Sequence, residues 1–401
     1  MKALLHNLKG DRAIWGIVAL LALFSFLPVY SASTNLVYVK DAGTTIGHLV
    51  KHGVLLFLGF MIIYAIHRVP THYFKGLSLI AMPIIIPLLA YTLTVETQIG
   101  EVTANRWIRI PVIGVNFQTS TLASVVLMIW IARYLTKIKD SHITFKDSIL
   151  PLWIPTALVI VLILPENFST AAILSFMVLM LCFLGGYPLK YLLSMVGVGL
   201  LVVAMFITVL FAAPDKIPSQ RAITWKNRIE TFLYPEKASA DASRQVEYAK
   251  MAVAEGGLVG KGAGKSVMKN LLSQSTSDFI FAIIIEEYGL IGGLGLLFFY
   301  LLLLFRIVVV ANSAKSVFAK LLVIGVGLPI VFQAFINMAV VVELFPTTGQ
   351  PLPLISMGGT SIWMTCLAIG IVLSASDKKQ EETASAEVDD TNPLEVLSGQ
   401  L

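Results

Sequence analysis

Apolar runs of about 20 residues, each enough to carry a helix across a hydrocarbon layer of about 30 Å, recur along the whole sequence. Composition agrees with that reading. The 401 residues are 57% hydrophobic and 13% charged, whereas a soluble domain carries about 25% charged residues. The expected fold is an all-α polytopic membrane protein. Ten spans are read, at 13–32, 47–66, 77–95, 118–136, 148–164, 170–187, 189–212, 279–311, 317–342 and 352–376. The fifth and sixth are short and nearly touch at "LPENFSTA" (164–171), which is open to two readings, a tight hairpin or one broken helix.

Basic residues in the short connections set the expected orientation. Lys2, Lys9 and Arg12 precede the first span. Arg68 and Lys75 follow the second, Arg133, Lys137, Lys139 and Lys146 follow the fourth, and Arg306, Lys315 and Lys320 follow the eighth. With the N-terminus cytoplasmic all of these fall inside, and ten spans bring the C-terminus back inside. The short opposite connections at 165–169 and 343–351 hold neither Lys nor Arg. The first apolar run, 13–30, exceeds the 7–15 residues typical of a signal peptide, so it is read as a retained span.

The membrane domain is expected at 1–376, with one large extracytoplasmic loop at about 213–278. That loop carries ten Lys/Arg against seven Asp/Glu. Loops longer than about 60 residues escape the charge rule, so the excess is either a solvated face or an attraction for anionic lipid head groups. Within it, 225–233 places Trp225, Ile229, Phe232 and Leu233 on one stripe, and 244–257 alternates charge with apolar residues; both suit helices lying in the interface plane. The tail 377–401, with seven acidic residues against two basic, is expected to be disordered and cytoplasmic. Cys182 and Cys366 sit inside apolar runs and are read as core residues. No internal repeat is visible, which counts against an inverted-repeat transporter.

"GLVGKGAGKS" (257–266) mimics a nucleotide-binding loop, but Val259 stands where the first glycine of that motif belongs. Its glycines remain suited to close backbone approach to a phosphate. The stretch "SQSTSDFIFAIIIEEYG" (273–289) raises a sharper question, because Asp278, Glu286 and Glu287 border or enter an apolar span. On an ideal helix Glu286 lies about 12 Å deeper than Asp278 and about 80° around the axis, with Glu287 facing the other way. A carboxylate at that depth costs several kcal/mol unless paired or neutral, so Glu286 and Glu287 are read as structural or conformational. Asp278 is read as the surface acid suited to chemistry, or as a helix N-cap, or both.

Several stretches together resemble the SEDS (shape, elongation, division and sporulation) family. They are "NRWIRI" (105–110), "RIETFLYPE" (228–236), "QVEYAKMAVAEGGLVGKGAGKS" (245–266), "SDFIFAIIIEEYGLIGG" (277–293), and Gln333 and Asn337 with "FPTTGQPLPLISMGGTS" (345–361). Departures occur at "FQTSTLAS" (117–124), "LPENFSTA" and "SQSTS" (273–277), where the family has further acids and bases. "GKGAGKSVMKNLL" (260–272) looks more like the division branch than the elongation branch.

The resemblance implies a peptidoglycan glycosyltransferase that polymerises lipid II at the outer face of the bacterial cytoplasmic membrane, at the division septum. It also implies a class B penicillin-binding protein and other divisome proteins as partners, and no nucleic acid. In such a reaction an acceptor hydroxyl loses a proton as it attacks an anomeric carbon, and a lipid diphosphate leaves. One carboxylate base suffices, and Asp278 is expected to serve. Arg106, Trp107, Arg228, Gln245, Lys261 and Lys265 are expected to bind substrate, the cations neutralising the diphosphate. A divalent cation, Mg or Mn, held in part by Asp278 is the alternative. Gln333 and Asn337, four residues apart, are expected to bond between helices, and Ser356 to let the tenth span pack closely. Competing functions are a lipid II flippase, a non-catalytic divisome scaffold docked through the tail, a general solute transporter, and an elongation role.

Overall fold

The computed structural model describes residues 8–38, 43–95, 97–99, 102–104, 107–110, 115–139, 144–212, 220–234, 240–272 and 274–376. Twelve helices follow in order among them. They are α1 (Arg12–Tyr38), α2 (Thr45–Ile66), α3 (Thr71–Thr94), α4 (Thr119–Ile138), α5 (Phe145–Ile163), α6 (Phe168–Leu184), α7 (Leu189–Ala212), α8 (Gln220–Leu233), α9 (Ala240–Gly256), α10 (Ile280–Ser313), α11 (Val317–Val341) and α12 (Thr360–Ala375). Each expected span overlaps one of them, and α8 and α9 fall in the expected 213–278 loop. Eight are long and apolar enough to cross a membrane, whereas α6 and α12 are shorter, at 17 and 16 residues.

The fold is helical, as expected, apart from two short strand pairs. Between α3 and α4, β1 (Thr97–Ile99) pairs antiparallel with β2 (Val102–Ala104), and β3 (Trp107–Ile110) with β4 (Val115–Gln118). These short stretches are rich in Val, Ile, Thr and aromatic residues, which suit an extended backbone. β4 is fastened to the last helix: Thr360 Oγ1 donates to the Asn116 carbonyl at 3.1 Å and accepts from the Gln118 N–H at 3.2 Å.

Local chemistry sets the helix ends and irregularities. Asp11 caps α1, its Oδ1 accepting from the Ala13 and Ile14 N–H groups at 2.9 and 3.0 Å. In α5, Pro155 has no N–H to give the Pro151 carbonyl four residues back. The Trp130 indole N–H of α4 takes that carbonyl instead, at 2.8 Å, and Ile149–Trp153 widens into a π-helical turn. Asn167 caps α6 by accepting from the Thr170 N–H at 3.3 Å, so the fifth and sixth spans are two helices joined by a short turn.

The tenth span is shorter than expected. Its helix begins at Thr360 rather than 352. Pro351 and Pro353 lack donors and bias their predecessors away from helix, and Leu354 takes a φ of +65°. The resulting irregular segment is nevertheless buried at Leu352, Leu354, Ile355 and Ser356. α11 lies at the centre of the bundle, with 67% of its apolar window buried, and α7 at the edge, with 6%. Both cysteines are buried and unpaired. At the far side from β1–β4, the Asp11 carboxylate pairs with Arg306, and the Asp11 N–H donates to Ser376 Oγ at 2.8 Å. The two described ends of the chain therefore meet.

Candidate functional site

Asp278 closes a turn, residues 274–279, that leads into α10. The cap position falls on Phe279, one residue later than the N-cap reading of Asp278 requires. Polar groups of α11 and of the irregular segment before α12 fasten the backbone around it. Asn337 Nδ2 of α11 donates to the Asp278 carbonyl at 2.8 Å, Ser356 Oγ to the Ser277 carbonyl at 2.6 Å, and the Met357 N–H to the Thr276 carbonyl at 3.0 Å. The same Asn337 amide donates to the Gln350 carbonyl at 2.8 Å, and Gln333 Nε2 to the Pro351 carbonyl at 2.8 Å. Gln350 Nε2 in turn donates to Thr170 Oγ1 of α6 at 2.7 Å. Gln333 and Asn337 thus bind loop carbonyls rather than a neighbouring helix. Ser356 ties the irregular segment to the Asp278 turn instead of packing a span.

Arg228 of α8 reaches the same place. One turn earlier, Trp225 packs on Phe168 of α6 and Phe206 of α7, with ring centroids 5.4 and 5.7 Å away, which fixes α8 against the bundle. A Cβ on Gly349 would stand 3.5 Å from Asp278 Oδ2 and 3.4 and 3.8 Å from the two Arg228 Nη atoms. A carboxylate and a guanidinium therefore converge on the bare Cα of Gly349, at the rim of the bundle.

Glu286 and Glu287 belong to a second assembly. α10 is broken at Gly289, which takes φ +68° and ψ −173°. The break frees the carbonyls of Glu286 and Glu287 and the N–H groups of Leu290 and Ile291 from their usual partners four residues away. Loop 257–262 satisfies all four. Lys261 and Gly262 donate to the two carbonyls at 2.9 Å each, while Gly257 and Leu258 accept from Leu290 and Ile291 at 2.9 and 3.2 Å. A Cβ on residue 289 would lie 2.3 Å from the Leu258 carbonyl oxygen, so only glycine admits the loop.

Side chains complete the graft. Glu286, fully buried, accepts from Lys261 Nζ at 2.9 Å, the Val267 N–H at 2.8 Å, the Met268 N–H at 3.3 Å, and the Ser266 hydroxyl. Glu287 accepts through Oε1 from the Ser31 hydroxyl of α1 and from the Ser266 N–H at 3.3 Å, leaving Oε2 without a partner. The buried Lys269 ammonium donates to Ser31 Oγ at 3.1 Å and to the Gly264 carbonyl at 2.7 Å; Asn35 Nδ2 holds the Lys269 carbonyl at 2.8 Å. Hydrogen bonds to Glu255 first, and to Glu286, raise the Lys261 pKa above its usual value. Ideal helical spacing separates the two glutamates, yet both reach Ser266, because the loop wraps around the broken helix.

Lys261, expected at a diphosphate, is instead held by Glu255 and Glu286. Lys265 is exposed on the same loop. Trp107 opens β3 opposite Gln118, and Gln245 lies half-buried in α9. Arg106 and the tail 377–401 lie outside the described residues. Ser31, Asn35, Ser266, Lys269, Gly349, Gln350 and Thr170 were not anticipated. For the first two a signal existed, since they are polar and four apart in an apolar run. Among the described residues, no three His, Cys, Asp or Glu side chains gather as metal ligands. The charged neighbour shown at Asp278 is a guanidinium. This set does not fit a protein-built Mg or Mn cage.

A family model described as "Cell cycle protein", covering FtsW, RodA and SpoVE, matches residues 11–381. A probable peptidoglycan glycosyltransferase FtsW of Geobacter sulfurreducens is 30% identical over 375 residues, covering 92% of this chain and 96% of the relative. One from Halomonas elongata is 29% identical, with 90% and 89% covered. Among solved structures, a chain of a peptidoglycan synthase complex that coordinates polymerization and crosslinking superposes with a TM-score of 0.70. It is 25% identical, with 91% of this chain and 97% of that chain covered. The rod shape determining protein RodA of Thermus thermophilus shares the fold, with a TM-score of 0.62, 23% identity, and 91% and 96% covered.

Proposed function

Because the chain belongs to the FtsW/RodA/SpoVE family of cell cycle proteins, we propose that it polymerises lipid II at the outer face of the bacterial cytoplasmic membrane, with Asp278 as the general base. The chain is a multi-pass membrane protein and a peptidoglycan glycosyltransferase. In the proposed reaction the acceptor sugar hydroxyl attacks the anomeric carbon of the donor. A carbon–oxygen bond forms there as the bond to the lipid diphosphate breaks, and its electron pair leaves with the diphosphate. The hydroxyl proton passes to the Asp278 carboxylate, while the Arg228 guanidinium faces the charge that develops on the leaving group.

The observation that carries this reading is the convergence of Asp278 and Arg228 at Gly349, on a turn whose backbone is fixed by Asn337 and Ser356. Holding base and cation in place before substrate arrives is what lowers a barrier of this kind. The proposed topology has ten crossings with both termini cytoplasmic, which puts this rim outside. The proposed partner is a class B penicillin-binding protein, and the proposed setting is septal synthesis, since 260–272 resembles the division branch. Glu286, Glu287, Gln333, Asn337 and Ser356 are assigned supporting roles, and Trp107, Gln245 and Lys265 substrate contacts.

The test is purification with the cognate class B penicillin-binding protein, followed by incubation with labelled lipid II. Glycan ladders from the native complex that vanish for Asp278→Asn, with complex formation intact, are the expected result. Unchanged polymerisation by that variant would overturn the assignment. Midcell rather than lateral-wall fluorescence of a tagged chain checks the division role.

A further inference from the structure

We infer that Gly349 is a positioning residue for polymerisation: its missing side chain leaves the space in which Arg228 and Asp278 come together. The inference rests on the reading of Asp278 as base. Three observations on different elements support it. First, the place where a Cβ would stand is already bordered by the carboxylate at 3.5 Å and the guanidinium at 3.4 Å. A methyl group there meets both at ordinary contact distance, and a longer side chain has to share the space with both of them. Second, Gly349 adopts φ +69°, a left-handed conformation open to glycine and, among side-chain-bearing residues, most readily to asparagine or aspartate. Third, the next residue is fixed from two sides, by Asn337 at its carbonyl and by its own amide on Thr170. The strand of chain carrying Gly349 therefore has little freedom to retreat from a larger residue.

This arrangement suits a reaction between two charged lipid-linked sugars. The carboxylate has to reach a hydroxyl, the guanidinium a diphosphate, and a shift of about 1 Å in either costs on the order of 100-fold in rate. A residue that only permits a turn and a residue that keeps space for two reacting groups predict opposite orders of substitution. If only the turn mattered, asparagine would be tolerated better than alanine. If the space matters, asparagine is worse, because its amide carries three heavy atoms past Cβ into the place of Asp278 or Arg228.

Gly349→Ala and Gly349→Asn are to be compared in the intact complex with labelled lipid II, alongside Asp278→Asn. Alanine, whose methyl group only touches the two groups, is expected to lower polymerisation about tenfold or less, since it displaces them by well under the roughly 1 Å that costs on the order of 100-fold. Asparagine is expected to lower it more than 100-fold, with the loss in kcat rather than in KM for lipid II. A loss of fold would instead reduce the yield of complex and leave the surviving molecules with native kcat. Asparagine equal to or better than alanine overturns the inference. Full activity of Asp278→Asn overturns the underlying reading of the base. Inactive Asp278→Asn together with active Gly349→Asn rejects the role of Gly349 alone.

Discussion

Replacing Glu286 with glutamine changes one atom and removes one charge from the graft that repairs α10. Breaking a buried ion pair by deleting one partner costs about 3–5 kcal/mol. The lower end applies here, because Lys261 is 29% exposed and keeps Glu255. The glutamine amide also points an N–H₂ group at donors that Oε2 now accepts, the Ser266 hydroxyl and the Met268 N–H, so no relief comes from geometry. A cost of about 3 kcal/mol in the docking of loop 257–269 corresponds to about a 150-fold rise in its open population. Lys261, Lys265 and Lys269 all lie in that loop, so limited trypsinolysis of the detergent-purified protein reads the opening directly. Glu287→Gln is the internal control. Its Oε1 accepts both bonds and Oε2 accepts none, so a glutamine can keep the oxygen where it is used, at a cost of about 1 kcal/mol or less. Cleavage accelerating about 100-fold for Glu286→Gln and less than tenfold for Glu287→Gln is expected. Equal acceleration would refute the claim that Glu286 is the side chain fastening the loop.

Gly289→Ala places a methyl carbon 2.3 Å from the Leu258 carbonyl oxygen, so the loop should undock and tryptic cleavage at 261–269 should match or exceed that of Glu286→Gln. Trp130→Phe strands the Pro151 carbonyl, which has lost its helical partner to Pro155. A fall in thermal stability worth about 1–3 kcal/mol is expected, and Pro155→Ala in the same background should recover it by restoring the missing N–H.

Much of the bundle is legible in sequence because membrane crossing depends on length and apolarity, which a linear scan reads well. The irregular parts are less so, because their stability comes from distant partners. Residues 351–359 look like the start of a span by hydropathy, yet Pro351 and Pro353 forbid the helix, and Gln333, Asn337 and Ser356 supply the bonds that make a buried loop tolerable. The paired strands β1–β4 are too short for their alternation to stand out. Lys261 was misplaced for a related reason: from sequence it is one cation among ten in a basic loop, and only the break at Gly289 brings it onto Glu286. Asp278 and Arg228 carried strong signals separately, but nothing in either segment says that Gly349, more than 70 residues beyond Asp278, is where they meet.

The three carboxylates of 278–287 separate by what their oxygens are given to do. Glu286 has four donors on its two oxygens, among them an ammonium, and lies fully buried. No lone pair is left for a substrate hydroxyl, and none can arrive. Glu287 keeps an oxygen without a partner but is sealed beneath α1 and the 264–269 loop. At Asp278, Asn337 holds the carbonyl and Ser356 holds the carbonyl of the preceding residue. The side chain stays half-exposed at the rim beside Arg228. A base must exchange its proton every turnover, so it needs a rigid backbone and an accessible carboxylate together. Of the three, only Asp278 has both. The deeper pair makes this possible from below: without the loop that Glu286 fastens, the break at Gly289 would leave four backbone groups without their partners, at a cost of about 1–3 kcal/mol for each that stays buried. The first segment of α10, which the Asp278 turn leads into, could not then hold its position.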